Sequence, residues 1–302
     1  MTNGYLKIDG HEVTVTNRDK VYFPGEGITK GDIIDYYWSV ASLILPYLKD
    51  RPENLNRHPD GIDGESFYQK DVDHEGPDWV RTVGIHSEST GKTVRYLVCD
   101  DEAALVYIAN LGCIEINPWN SRVDKLDKPD YLIVELDPQN IDFSDVIKTA
   151  QEVRKIFEEL EIESYCKTSG KRGLHIFVPT GAKYAYETVR DIAELIAKEV
   201  NRRLPEITSV VRDPAKRKRL VYVDYLQNSK GQTLAAPYSA RPVLGATVST
   251  PLEWSEVRVG LDPKKFTIKN ILKRVDKKGD LWQPVLGKGI NLDKISSRLE
   301  RL

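Results

Sequence analysis

Residues 131–138 read Tyr-Leu-Ile-Val-Glu-Leu-Asp-Pro, an apolar run that carries two acids near its end. Side chains alternate faces along a strand. A strand here puts Leu132, Val134 and Leu136 on one face, and Tyr131, Ile133, Glu135 and Asp137 on the other. The two acids would lie roughly 6.5 Å apart along the strand. Pro138 cannot donate to a sheet ladder and is expected to stop the strand. Two carboxylates at the end of a buried strand repel each other and resist desolvation, costs that a bound divalent cation removes. A solvated strand end whose acids bound a turn is the alternative, and this stretch alone does not choose.

The 302 residues, 40% hydrophobic and 30% charged, suit an ordinary globular protein of one large domain or two small ones. No apolar run reaches the length of a membrane span, and the N-terminal MTNGYLKIDG lacks the apolar core of a signal peptide. A cytoplasmic location and no membrane partner are the expectation. Cys99, Cys113 and Cys166 form no CxxC pair, which argues for buried free thiols over a zinc site or disulfides. A net charge of −2 is not that of a non-specific DNA binder. The charge is uneven, however. Lys216-Arg217-Lys218-Arg219 is a basic run, and Lys167, Lys171 and Arg172 are a second cluster. A basic groove beside an acidic metal site would leave the sum near zero.

Residues 5–15 alternate like a strand or hairpin. Thr29 with Asp32 three residues on can cap a helix whose apolar positions are Ile33, Ile34, Tyr37, Val40, Ala41 and Ile44, with Pro46 ending or bending it. Loop and short strand follow to Asp73. Strands are predicted at 94–99 and 113–116, the second stopped by Asn117-Pro118, with a short helix at 103–110 between them. Amphipathic helices are predicted over 143–160, with Ser144 as cap, and over 186–204. Strands are predicted at 164–168, 174–178 and 220–225. From Asn228 onward the chain reads as short strands at most, then a charged tail. No linker or repeat divides it, so the expectation is one α+β domain, 1–302, around a central, mostly antiparallel sheet flanked by helices.

Two further stretches could carry chemistry. Thr168-Ser169-Gly170-Lys171-Arg172-Gly173-Leu174-His175 combines two glycines, a hydroxyl and two cations, which suits a triphosphate. A basic hairpin turn in solvent and a structural strand histidine are the plainer alternatives. Asp224 lies inside Leu220-Val221-Tyr222-Val223-Asp224-Tyr225, and an acid in such a run needs a partner. That partner is either Arg217 or Arg219, or the metal suspected at Glu135 and Asp137. Three acids from two strands around a pair of divalent metals is an arrangement used for in-line phosphoryl transfer.

Together these motifs resemble the polymerase domain of prokaryotic ATP-dependent DNA ligase D, a branch of the archaeo-eukaryotic primase superfamily that acts in non-homologous end joining. The resemblance runs from Val13 to about Val257. It is carried also by Thr16-Asn17-x-Asp19-Lys20-Val21, Gly27-Ile28-Thr29-Lys30-Gly31-Asp32, Arg57-x-Pro59-Asp60-Gly61 and Asp224-Tyr225-Leu226-Gln227-Asn228. It implies a primase-polymerase core at about 96–257, a DNA-end-binding part at about 1–95 and a tail at 258–302. Glu135, Asp137 and Asp224 match metal-binding acids for two Mn²⁺ or Mg²⁺ ions. Asn117, Ser169, Gly170, Lys171, Arg172, His175, Arg217, Gln227 and Arg241 match the nucleotide site. Asn17, Lys20 and Lys30 match a pocket for a downstream 5′-phosphate. Phe67 or Tyr68 matches an aromatic that stacks on the template, with Arg57 nearby; such stacking ignores sequence.

The resemblance further implies gap filling and 3′-end extension with NTPs or dNTPs, manganese favoured and ribonucleotides accepted. DNA ends, Ku and a DNA ligase are the implied partners, and the nucleoid the implied place of work. Two positions depart from the family pattern. Glu135 stands where an aspartate is usual, moving the carboxylate by one methylene. Asn117 stands where a histidine is common and cannot act as a cation. Both bear on rate and sugar choice more than on reaction class. An end-bridging protein without synthesis and a metal-dependent phosphoesterase using the same acids are the rival readings.

Overall fold

The computed structural model describes residues 4–72, 76–88, 90–217 and 219–299. Asp73 and Lys218, named above, lie outside them. Where the sequence shows no linker, the backbone gathers into two compact units, each built from separated stretches. One holds residues 1–124, 233–249 and 264–277; the other holds 125–232, 250–263 and 278–302.

The first unit opens with the hairpin β1 (Gly4–Ile8) and β2 (His11–Val15), then the short pair β3 (Val21–Phe23) and β4 (Ile28–Thr29). Helix α1 (Lys30–Ser39) starts at the predicted capping box: Thr29 Oγ1 accepts from Asp32 N at 3.2 Å, and Asp32 Oδ2 accepts from Thr29 N at 2.7 Å. The break falls at Val40, not at Pro46. The Ser39 hydroxyl donates to the Tyr36 carbonyl at 2.6 Å and competes for it, and Pro46 sits inside the next helix, α2 (Ala41–Leu48).

Strands β5 (Glu53–Arg57) and β6 (Phe67–Gln69) come next, then the hairpin β7 (Thr82–Ser87) and β8 (Lys92–Leu97). Helix α3 (Glu102–Asn110) and strand β9 (Cys113–Pro118) complete the run, and β9 passes through the Asn117-Pro118 expected to stop it. Strands β6, β5 and β9 form a three-stranded antiparallel sheet in that order. The apolar stripe of α1 and α2, through Ile33, Ile34, Tyr37, Val40 and Ile44, is fully buried.

The second unit is built on strand β10 (Tyr131–Gln139). Pro138 stays in the strand. Pairing with the neighbour on one side ends at Leu136, so Pro138 is an edge residue there and no ladder bond is lost, while on the other side it opposes Val221. The remaining elements are α4 (Phe143–Glu159), β11 (Tyr165–Thr168), β12 (Leu174–Pro179), α5 (Tyr186–Arg203), β13 (Thr208–Ser209), β14 (Leu220–Asp224) and β15 (Pro251–Leu252). The Asp142 carboxylate, rather than Ser144, caps α4, accepting from Ser144 N at 2.7 Å.

The sheet order is β13-β14-β10-β12-β11-β15, antiparallel except for the β13–β14 pair. Helices α4 and α5 both pack on it. Leu132, Val134, Leu136, Leu174, Ile176, Val178, Val221 and Val223 share one face by register, and all are buried.

The C-terminal stretch is more ordered than expected. It contains α6 (Ile271–Lys278) and α7 (Leu292–Leu299), and Trp282 is buried edge-on against Phe177 at 5.1 Å. All three cysteines are free and buried, and no described helix is long and apolar enough to cross a membrane.

Candidate functional site

The other face of the six-stranded sheet carries the chemistry. Register places Glu135 opposite both His175 on β12 and Asp224 on β14, and Asp137 opposite Tyr222. Three acids and a histidine therefore occupy one patch, as the alternation of the sequence demands. Burial, and after it the charge of Glu135, push Asp224 up to about 6 and lift Asp137 above the usual aspartate range. Arg217 works against both shifts, and Arg172 against that of Asp137.

Arg217 is buried with its guanidinium 3.8 Å over the Tyr222 ring, and its Nε and Nη1 have no hydrogen-bond partner among the described residues. A desolvated cation with unused donors near Asp137 and Asp224 is suited to an anion brought in with metal ions. Asp224 is held by the Leu226 amide, which donates to its Oδ1 at 2.7 Å. Asn228 brackets the backbone of Ile133, accepting from its N–H at 2.8 Å and donating to its carbonyl at 2.7 Å. Gln227 lies in the single turn 226–228 between these two anchors.

The loop 169–173 is pinned by Ser169. Its hydroxyl accepts from the amides of Lys171 at 3.1 Å and Gly173 at 3.0 Å. Those two amides thus turn inward in this structure, where the sequence suggested that the glycines let amides reach a ligand. Gly173 has a different reason to be glycine: a Cβ would strike the Leu136 carbonyl. Gly170 takes a left-handed φ of 74°. Lys171 and Arg172 are exposed at the tip. His175 is buried, its Nε2 3.6 Å from Glu135 Oε1 and its Nδ1 2.8 Å from Nζ of Lys167. Lys167 was legible only as part of a surface charge cluster. Its place opposite His175 depends on strand register, which alternation alone does not supply.

Among the described residues no three Asp, Glu, His or Cys side chains converge closely enough, as they stand, to ligate one ion. The donor set nevertheless fits a hard divalent cation. Glu135, Asp137 and Asp224 offer only oxygen donors from adjacent strands, and the burial that raises the pKa of Asp137 and Asp224 is a cost that such a cation removes. Mg²⁺ and Mn²⁺ suit that chemistry.

The first unit holds the remaining candidates. Asn54, Asn56, Glu115 and Asn117 face one side of its three-stranded sheet by register, all buried. Arg241 joins them through a buried ion pair, Nε to Glu115 Oε2 at 3.0 Å. Asn117 donates its amide to the carbonyls of Asn54 and Glu115, both at 3.3 Å. Phe67 and Tyr68 are both exposed on β6 and point to opposite faces. Arg57 is a tether: it donates to the Leu111 carbonyl at 2.8 Å and to Gln69 Oε1 at 2.9 Å, with its guanidinium 5.2 Å from the Phe67 ring centroid.

Asn17, Lys20 and Lys30 are brought together. Asn17 has a left-handed φ of 55° and its carbonyl accepts from Lys20 N at 3.0 Å, while the Lys20 carbonyl accepts from Lys30 N at 2.8 Å. Lys20 pairs with Asp60. Lys30 is not a solvated lysine. It is buried and donates to Thr16 Oγ1 at 3.1 Å, and burial, then the charges of Lys20 and Arg57, lower its pKa to about 8.

Residues 29–282 match the family described as LigD, primase-polymerase domain. The bifunctional non-homologous end joining protein LigD of Bacillus subtilis is 32% identical over 269 residues, covering 87% of this chain and 42% of that protein. The multifunctional LigD of Mycolicibacterium smegmatis is 29% identical over 290 residues, 94% of this chain and 37% of that protein. The chain thus spans less than half the length of these relatives. A solved polymerase domain from Mycobacterium tuberculosis ligase D in complex with DNA superimposes with a TM-score of 0.85 at 27% identity, over 92% of this chain and 99% of that one.

Proposed function

The chain belongs to the LigD primase-polymerase domain family, and from that footing we propose that it is a DNA-directed nucleotidyltransferase that fills gaps and extends 3′ ends at broken DNA. The observation that carries this reading is the register that sets Glu135, Asp137 and Asp224 side by side with His175, near the Arg217 guanidinium and its two unused donors. Glu135, Asp137 and Asp224 would hold the metals. When bound, two such ions lower the pKa of an attacking hydroxyl and neutralise charge on a triphosphate and its leaving group. Arg217 receives phosphate oxygens through its unused donors, Arg172 adds charge from the loop tip, and His175 donates to the same anion. Mn²⁺ is the favoured ion and ribonucleotides are used at least as well as deoxyribonucleotides. A higher kcat/KM with the four dNTPs on the same gap would remove the sugar assignment.

The lowered ionisation of Lys30 supports a second part of the reading. Three cations, Lys20, Lys30 and Arg57, crowd one another. A terminal phosphate would relieve that crowding, so the pocket selects a 5′-phosphate on the downstream end. An exposed Phe67 or Tyr68 stacks on the template base. Ku and a ligase act with this protein at the break.

The test is extension of a gapped, end-labelled duplex in Mn²⁺ with and without nucleotides. Nucleotide-dependent lengthening is the expected result. End binding without lengthening would favour bridging alone, and nucleotide-independent shortening would favour a phosphoesterase.

A further inference from the structure

Lys167 has no part in the mechanism above, yet it is fully buried in the middle of the same sheet. Register runs Lys167 on β11, His175 on β12 and Glu135 on β10 across three neighbouring strands, all on the acidic face. Lys167 Nζ is 2.8 Å from His175 Nδ1 and 5.6 Å from the Phe177 ring centroid. The opposite nitrogen, His175 Nε2, looks to Glu135 Oε1 at 3.6 Å. An ammonium has three donors and no acceptor, and an aromatic face is a favourable neighbour for a desolvated ammonium. Nδ1 is then the acceptor, and the proton of the neutral imidazole sits on Nε2.

We propose that Lys167 is a positioning residue whose ammonium holds His175 in the Nε2–H tautomer, so that the ring presents a donor to the acidic face where the nucleotide phosphates arrive. A ring free to exchange tautomers would present a lone pair to a phosphate oxygen for part of the time, and that contact is repulsive. Lys167 acts through His175 rather than on the substrate. The identity of the acceptor rests on the nucleotidyltransferase reading; the tautomer does not.

The experiment uses the full chain, ¹⁵N-labelled and free of nucleotide and metal. Long-range ¹H–¹⁵N correlation distinguishes protonated from unprotonated ring nitrogens, and the His175→Gln spectrum assigns the signal among the five histidines. The expected result is an unprotonated Nδ1 and a protonated Nε2. Lys167→Met keeps the length of the side chain and removes the donor. It should move the tautomer population toward Nδ1–H and raise the nucleotide KM about tenfold, with kcat and DNA-end binding changed by about twofold or less. Lys167→Arg, still a donor without an acceptor, should retain Nε2–H. A proton on Nδ1 in the unmutated protein overturns the proposal, as does an unchanged tautomer in Lys167→Met. If Lys167→Met does not fold, the unmutated spectrum decides by itself. Failure of the polymerase reading would show instead as absence of extension, with the tautomer intact.

Discussion

Lys30 supplies a sharp test of the phosphate pocket because its pKa, about 8, falls in an accessible range. The free folded protein holds this proton less tightly than an ordinary lysine at 10.5. Stability of the free protein should therefore rise as pH climbs through the window from about 8 to 10.5. Binding a phosphate works in the opposite sense: it restores a counter-charge, raises the lysine again and takes up a proton. At pH 7 Lys30 is still mostly charged and the phosphate is mostly dianionic, so the preference should be greatest near there. Between pH 7 and 9 the charged fraction falls by about tenfold, so the preference for a phosphorylated end should weaken by ~1.4 kcal/mol.

The assay is fluorescence anisotropy of a gapped duplex at constant ionic strength, with the 5′-hydroxyl duplex as background. Lys30→Arg cannot be deprotonated in this range and should flatten the dependence. Lys30→Met should lose about 1.5–3 kcal/mol of the preference at pH 7, as expected for one charge-assisted contact. A phosphate-to-hydroxyl ratio constant from pH 7 to 9, or an unchanged slope in Lys30→Arg, would refute the reasoning.

Other outcomes follow from the acidic patch and the helix cap. Asp137→Ala or Asp224→Ala should abolish extension while DNA-end binding persists, and near-normal extension by either variant would sink the metal assignment. Glu135→Gln should cost far more activity than Glu135→Asp, measured on the same gap; equal losses would mean that the charge at 135 is not what matters. The folded-state pKa of Asp224, about 6, lies above its ordinary 3.8, so its ionisation costs stability that is felt as pH rises through that window. Mn²⁺ should accordingly raise Tm more at pH 7.5 than at pH 5, and an equal rise at both would argue that Asp224 is no ligand. Thr29→Ala should lower unfolding stability by about 1 kcal/mol in urea titrations, since it removes one half of a reciprocal cap.

The acids were legible in the sequence because alternation is a local property: Glu135 and Asp137 had to share a face once residues 131–137 formed a strand. The capping box at Thr29 and Asp32 was legible for the same reason. What escaped depends on partners distant in sequence. Pro138 stays in its strand because the neighbouring strand has already ended at Leu136 on that side. Lys167 became a buried partner of His175 only through pairing between β11 and β12. The buried positions Ile271, Trp282, Val285, Leu292 and Ile295 are spaced among lysines, aspartates and glycines, so the C-terminal helices read as a charged tail. Lys30, a charged residue at a helix start, gave no local sign that it would be buried.

The interleaving of the two units also dictates an order of assembly as the chain is made. Tyr36 and Tyr37 leave the ribosome early, but the Tyr238 carbonyl that accepts from Tyr36 and the Ser239 hydroxyl beside Tyr37 come 202 residues later. Residues 264–277 arrive later still and belong to the same unit. The N-terminal unit therefore cannot close vectorially ahead of the other, as successive domains commonly do. A cut after residue 257 would take material from both units at once, so neither can be isolated as one continuous fragment.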